Sequence, residues 1–230
     1  MTEAYTGVEN LEVMREAVNY NRFLVNLILQ HTQPTDVVLD FGAGAGTFAT
    51  KIHASGRNVV CLEPDLALSG HLARLGFTVF TDLASIPDNT IDCIYTLNVL
   101  EHISDDQAAV EMLYRKLNPN GLLLVYVPAF QALFSSMDRK VGHFRRYRRK
   151  GLEAILQKAQ FEIVKLEYVD SLGFLAALVF KWFDKGGGDI NVNLLKLYDR
   201  LAFPLSRILD RIFYAVGGKN VYAVAVKNSV

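Results

Sequence analysis

Apolar residues fall along this chain in short consecutive runs, each closed by a turn or a polar cluster. Residues 37–39, 58–62, 77–80, 91–97 and 122–127 form such runs, and they read as strands buried on both faces of a parallel sheet. Residues 47–55, 66–75 and 104–117 lie between them and read as helices. The last opens with Ser104-Asp105-Asp106-Gln107, which fits a capping box, and Pro119-Asn120-Gly121 reads as the turn that follows it. Strand and helix alternating in this way predict an open α/β sheet. Upstream, residues 11–30 carry a helical stripe of Val18, Phe23, Leu24, Leu27 and Ile28, closed by Pro34. Downstream, residues 161–169 alternate apolar and polar positions as an edge strand does, and residues 219–227 form a final strand after Gly217-Gly218.

The last two strands are separated by residues 171–216. Residues 172–180 are strongly apolar, Gly186-Gly187-Gly188 reads as a joint, and Leu194, Leu197, Leu201, Leu205, Ile208, Leu209 and Ile212 line one face of one or two amphipathic helices. Pro204 divides or kinks them. The pattern predicts one domain, 1–230, with a helical cap at 171–216 packed on a substrate cleft. A homodimer contact and a shallow peripheral membrane contact are the alternatives.

Candidate chemistry begins where the first strand ends. Leu39-Asp40-Phe41-Gly42-Ala43-Gly44-Ala45-Gly46 runs from a buried strand into alternating glycines and then a helix. Glycine lets the backbone turn tightly and approach a ligand with no Cβ in the way, and the helix start offers free amides. A dinucleotide fingerprint, G-x-G-x-x-G, would need glycine at position 47, which is Thr47. Asp40 at the strand end repels a pyrophosphate and suits a cation. S-adenosylmethionine carries a sulfonium and an ammonium and no phosphate.

Composition narrows the class. The 230 residues have a formal net charge of zero, so no global field draws the chain to nucleic acid or membrane. Cys61 and Cys93 lie inside apolar runs and read as buried free thiols of a reducing, cytoplasmic setting. The start, Met1-Thr2-Glu3-Ala4-Tyr5, lacks the pattern of a signal peptide. No apolar run reaches the ~20 residues that span a bilayer.

Other polar residues cluster at predicted strand ends, where open α/β sheets bind ligands. Glu63 closes the second strand and can accept both hydroxyls of a ribose. Asp65 fits a helix N-terminus better. Asp82 follows the third strand and can accept from an adenine amino group. Asn98-Val99-Leu100-Glu101-His102 follows the fourth. Tyr20, set among polar neighbours on the first helix, can close over the cofactor as part of a lid. Beyond the fifth strand, residues 139–150 hold seven Lys and Arg residues together with His143, Phe144 and Tyr147. Three readings stand: a pocket gripping an anionic substrate with arginine forks, a nucleic-acid groove with Phe144 and Tyr147 stacking on bases, and a solvated helix start. Neutral overall charge disfavours the second. His143, with an imidazole pKa near ~6.5, is a candidate general base. His102, His143 and Asp138 are not spaced as a metal site, so none is expected.

Taken together, the glycine turn, Glu63, Asp82 and Asn98-Val99-Leu100-Glu101-His102 resemble the class I S-adenosylmethionine-dependent methyltransferases. Asn118-Pro119-Asn120-Gly121 before a hydrophobic strand adds to the likeness. Val127-Pro128-Ala129 and Gly142-His143-Phe144-Arg145-Arg146-Tyr147 resemble a bacterial and archaeal subgroup linked to saccharide or lipid-linked saccharide pathways. The resemblance implies a Rossmann-like sheet of seven strands, mostly parallel, with the last antiparallel. It implies cofactor contacts at Tyr20, Asp40, Gly42, Ala43, Gly44, Gly46, Glu63, Pro64, Asp82, Leu83 and Asn98. Substrate contacts are expected at Asp138 and His143; Arg145, Arg146 and Tyr147, on a loop that follows the fifth strand at the carboxyl edge, are expected to serve acceptor binding or loop anchoring, with a small-molecule or lipid-linked saccharide acceptor. Rival readings are an NAD(P)-dependent oxidoreductase and a non-catalytic module that binds adenosyl ligands.

Overall fold

In a computed structural model of the chain, residues 13–183, 186–187 and 191–229 are described. The expectations at Met1 to Tyr5, at Leu11 and at Gly188 lie outside the described residues. Seven strands form one sheet: β1 (Val37–Phe41), β2 (Asn58–Leu62), β3 (Thr78–Phe80), β4 (Ile91–Leu97), β5 (Leu117–Pro128), β6 (Phe161–Val169) and β7 (Asn220–Lys227). Their order is β3-β2-β1-β4-β5-β7-β6. The pairs from β3 through β5 are parallel, while β7 runs antiparallel to both β5 and β6. This is the expected Rossmann-like sheet, with β6 at an edge. No described helix is long and apolar enough to cross a membrane.

The period-2 alternation of strands sorts their side chains into two cores. Leu39 and Phe41 of β1, Ile94 of β4, Val125 of β5 and Ala223 of β7 face one side, under helices α4 (Asp106–Lys116) and α6 (Arg149–Lys158). Val38, Cys93, Tyr95, Tyr126 and Tyr222 face the other, under α1 (Val18–Leu29), α2 (Thr47–Ala54) and α3 (Leu66–Arg74). Both cysteines are buried and free. The sheet is therefore dry on both faces, and the strand ends remain for binding.

Caps set where the helices begin. Gly46 caps α2 from the left-handed region, at φ 78°. The Asp65 carboxylate accepts from the amides of Ala67 and Leu68 at the start of α3. For α4 the cap is Asp105, which accepts from Ala108 N, and not Ser104, where a capping box is expected. Pro119-Asn120-Gly121, expected as a free turn, lies within β5. Pairing with β4 jumps there from Ile91–Leu117 to Cys93–Leu122, and Asn120 takes a φ of 64°.

After β5 come a short helix, α5 (Ser136–Lys140), and a loop that returns to the sheet, where Ala129 bridges Tyr147. Between β6 and β7 lie α7 (Ser171–Phe183), α8 (Val192–Leu197) and α9 (Phe203–Phe213). Pro204 has no N–H to give to the preceding turn, and the backbone widens into a π turn at Tyr198–Ala202 just before it. That turn turns Asp199 inward. Its carboxylate accepts from the amides of Asn19 and Tyr20, at 2.9 and 2.8 Å, and so caps α1 from far along the chain.

Candidate active site

A cavity of about 600 Å³ opens at the carboxyl ends of β1, β2, β4 and β5. This is the crevice where the strand order reverses, between β1 and β4. Tyr20, Asp40, Gly42, Ala43, Gly44, Glu63, Pro64, Asn98, His143 and Arg146 line it. Gly46, Asp82, Leu83, Asp138, Arg145 and Tyr147, also expected in the site, do not.

At the glycine turn the backbone leaves β1 with Gly42 and Gly44 both at positive φ, 83° and 54°. A Cβ on Gly42 would come within 2.6 Å of Val99 Cγ2. The Gly44 amide donates to Glu63 Oε2 at 2.7 Å, and the Asp65 amide donates to Oε1 at 3.0 Å. Glu63 thus joins the turn to the end of β2. Burial raises its carboxyl above the usual range. Asp40, buried beside the Tyr95 hydroxyl, is pushed up by burial to about 7. A cation arriving between these two carboxylates would draw both back to the ionised form.

Gly46 instead packs toward Leu72 and starts α2. Asp82 caps the 3₁₀ turn Leu83–Ser85 by accepting from Ala84 N, and Leu83 belongs to the core. β3 ends level with β2, Phe80 pairing with Leu62, so Asp82 stands at the same edge of the sheet but outside the cavity lining.

The far end of the cavity is built from the stretch after β4 and the loop after α5. Glu101 and His102 lie on a 3₁₀ turn, Leu100–His102. The Phe144 amide donates to the Glu101 carbonyl at 2.8 Å, which pins the loop to that turn. Asp138, fully buried, accepts from Ser135 N, from His143 Nδ1 at 2.7 Å and from both Nε and Nη2 of Arg146, at 2.8 and 2.9 Å. Burial alone would raise its carboxyl, but the bonds from His143 and Arg146 outweigh it and hold the group well below the usual carboxylate range. With Nδ1 given to Asp138, the His143 ring presents Nε2 toward Glu101, 3.8 Å from Oε1. The His102 ring stacks edge-on against His143 with centroids 4.5 Å apart. Burial, and then the His143 neighbour, lower His102 to about 4, so it is neutral near pH 7.

Glu101, Asn220 and Lys219 are among the lining residues not anticipated from the sequence as site residues. Glu101 is fully buried, and neither carboxylate oxygen has a hydrogen-bond partner. Burial raises it to about 8. Asn220 lines the same cavity with its Nδ2 unpartnered, and Lys219 precedes it. Glu101 was visible inside the quoted motif, but Lys219 and Asn220 carried no signal beyond the start of a strand.

The basic loop divides in two. Arg146 faces the cavity through its pairing with Asp138. Arg145 pairs with Asp106 Oδ1 at 2.8 Å and donates to the Ser104 carbonyl, while the buried Tyr147 donates its hydroxyl to Asp106 Oδ2 at 2.7 Å. These two tie the loop to α4. Phe144 is exposed and Tyr147 buried, so the two rings share no surface for stacking bases. Among the described residues of 171–216, none lines the cavity. The insertion meets it at one remove, where Phe203 packs edge-on against Tyr20 at 5.5 Å.

A parallel sheet with reversed order, a glycine turn facing two carboxylates and an antiparallel last strand define a class I S-adenosylmethionine-dependent methyltransferase domain. The chain belongs to the methyltransferase domain family, whose model matches residues 14–166. A probable S-adenosylmethionine-dependent methyltransferase of Mycolicibacterium smegmatis is 29% identical over 162 residues, 67% of this chain and 61% of that protein. The match thus spans less than two thirds of that relative. Among solved structures, a Thermotoga maritima methyltransferase described as a possible histamine N-methyltransferase superposes with a TM-score of 0.63 at 16% identity, covering 97% of this chain and 99% of that one. A Haemonchus contortus phosphoethanolamine N-methyltransferase, solved with S-adenosyl-L-methionine, gives 0.62 at 21% identity, covering 92% of this chain and 53% of that one.

Proposed function

We propose that the chain catalyses methyl transfer from S-adenosylmethionine to an oxygen or nitrogen of a small-molecule or saccharide/lipid-linked acceptor. The observation that carries this is the pair of buried carboxylates, Asp40 and Glu63, facing a glycine turn that leaves room for a ligand against the backbone. That donor set suits a cation with a ribose and disfavours a pyrophosphate, which argues against the NAD(P) reading. When bound, the cofactor supplies a sulfonium methyl; its C–S bond breaks as the acceptor's oxygen or nitrogen bonds to carbon, leaving a neutral thioether. Glu63 is placed to accept from the ribose, Asp40 to face the positive end, and Tyr20 and Asn98 to close the site. His143 is the candidate catalytic residue: Asp138 fixes its tautomer, and its Nε2 lone pair faces the cavity at the acceptor end. Calorimetry with S-adenosylmethionine and with NAD(P) tests the cofactor assignment. Gly44→Val should abolish cofactor binding, and normal binding by that variant would refute the proposed cradle. Cofactor binding without turnover on a broad acceptor panel would favour the non-catalytic module.

We infer further that the acceptor is met at a membrane surface, which suits a lipid-linked saccharide. Support comes from the insertion. Leu175, Trp182, Leu201, Ile208 and Ile212 are all more than half exposed. Both described acids of these helices, Asp199 and Asp210, turn inward into hydrogen bonds, while Lys181, Lys196, Arg200 and Arg211 are exposed. Lys196 pairs with Glu16 at 2.7 Å, and exposed apolar residues accompanied by exposed Arg200 and Arg211 fit a helix lying in an anionic lipid interface. Co-flotation with vesicles containing phosphatidylglycerol, lost in Trp182→Ser/Ile208→Ser/Ile212→Ser, is the expected result. A stable dimer in solution with no flotation would assign the face to a second copy.

A further inference from the structure

We propose that Glu101, His102 and His143 form a binding site for a divalent transition-metal cation at the acceptor end of the cavity. One ligand atom from each lies within 4.8 Å of the other two. The strongest independent sign is Glu101 itself. It is fully buried, lines the cavity, and leaves both carboxylate oxygens without a hydrogen bond. A buried polar group without a hydrogen-bond partner is costly, and a cation is a partner that offsets that cost.

The surroundings fit the same conclusion. A metal-binding histidine commonly donates its second ring nitrogen to a carboxylate, which fixes the tautomer and raises ligand basicity. His143 does so to Asp138 at 2.7 Å, and its other nitrogen faces Glu101. The nearby Arg146 does not supply the missing partner, because its guanidinium is taken up in two bonds to Asp138. Backbone contacts from Val141 and Gly142 hold the His102 ring. One carboxylate with two imidazoles suits zinc, manganese or iron(II) over magnesium or calcium, which prefer oxygen. Three protein ligands leave positions open for an exogenous group.

The role of the site rests on the methyl-transfer reading. The His143 lone pair would act on the acceptor through the cation, not directly. A cation holding the acceptor's oxygen or nitrogen favours loss of its proton to solvent and fixes the angle at which it meets the methyl. The cation binding itself is independent of that reading and is tested apart from it.

The test is titration of the EDTA-treated full chain with Zn²⁺ alone and with Mn²⁺ alone, Mg²⁺ serving as control. One site per chain is expected, with affinity reduced at least tenfold in Glu101→Gln and in His102→Gln and unchanged in His53→Gln, a histidine remote from the cavity. Co²⁺ added to the wild type should give the visible bands of nitrogen and oxygen ligation, which requires no variant to fold. Absence of a saturable site, or a site that survives both substitutions, overturns the proposal and leaves His143 to act directly as a base. Zinc binding without S-adenosylmethionine binding would refute the methyl-transfer reading alone.

Discussion

At one end of the cavity, Asp40, Gly42, Gly44 and Glu63 come from β1, β2 and the turn between β1 and α2. At the other, Glu101 and His143 come from two separate loops and meet only because Asp138 holds His143 from behind and the Phe144 amide bonds to the Glu101 carbonyl. The first end is held by backbone: glycine dihedrals, strand register and two amides on a carboxylate. The second is held by side chains, with one buried carboxylate gathering a histidine and an arginine. Removing a side chain from the first should therefore impair binding and spare the fold, whereas the second should lose both.

The largest expected effect is at Asp138. Asp138→Ala leaves Arg146 and His143 buried without their shared partner, and stranding a buried charge costs about 3–5 kcal/mol. Thermal or urea unfolding would show it as a marked fall in stability. A variant as stable as the wild type would mean the acceptor end does not depend on that carboxylate. Glu63→Ala should weaken S-adenosylmethionine by roughly tenfold to a hundredfold, the loss of charge-assisted hydrogen bonds worth ~1.5–3 kcal/mol. Unfolding of Glu63→Ala should stay near the wild type. If stability fell more than affinity, the contrast between the two ends would collapse.

Asp40 sharpens the comparison through pH. Its carboxyl is raised by burial to about 7 in the folded chain, above the ~3.9 of an unfolded aspartate. The stability this group contributes is therefore fully present below about pH 4 and lost as pH rises through 7. Melting temperature of the ligand-free chain should fall from about pH 4 to about pH 7 and level off above it, and Asp40→Asn should flatten that slope. Because a cationic cofactor favours the ionised carboxylate, the increase in melting temperature on adding S-adenosylmethionine should be larger at pH 8 than at pH 6. A slope that persists unchanged in Asp40→Asn would assign it to other groups, Glu63 among them.

Arg145→Ala is expected to have the smallest effect. The Arg145 side chain is about a third exposed and pairs with Asp106 at 2.8 Å, and such half-exposed pairs contribute ~1 kcal/mol or less. Cofactor affinity should not change. A large loss of turnover with no loss of stability would return Arg145 to the acceptor site, from which the structure removes it.

Much of the cofactor end was legible because its determinants are local. Asp40 and the glycines are contiguous, and Glu63 closes the next strand, so strand ends and turn chemistry suffice to bring them together. Where the same reasoning reached too far, the reason was also physical. Asp82 lies two residues beyond β3 and is held as the cap of its own 3₁₀ turn. Arg145, Arg146 and Tyr147 are consecutive, yet only Arg146 turns to the cavity, because the other two find Asp106 on α4.

The alternation of apolar residues by itself determined the sheet, its two dry faces and the crevice at its carboxyl edge, since burial pattern and glycine conformation act over a few residues. Tertiary structure alone decided that Glu101, His102 and His143 share one space, that Lys219 and Asn220 face it, and that the described residues of the insertion stand outside it with Asp199 and Asp210 turned inward. Those outcomes depend on contacts between distant segments, such as Asp199 capping α1 and Asp138 gathering the loop, and no local spacing encodes which distant polar groups will be buried together.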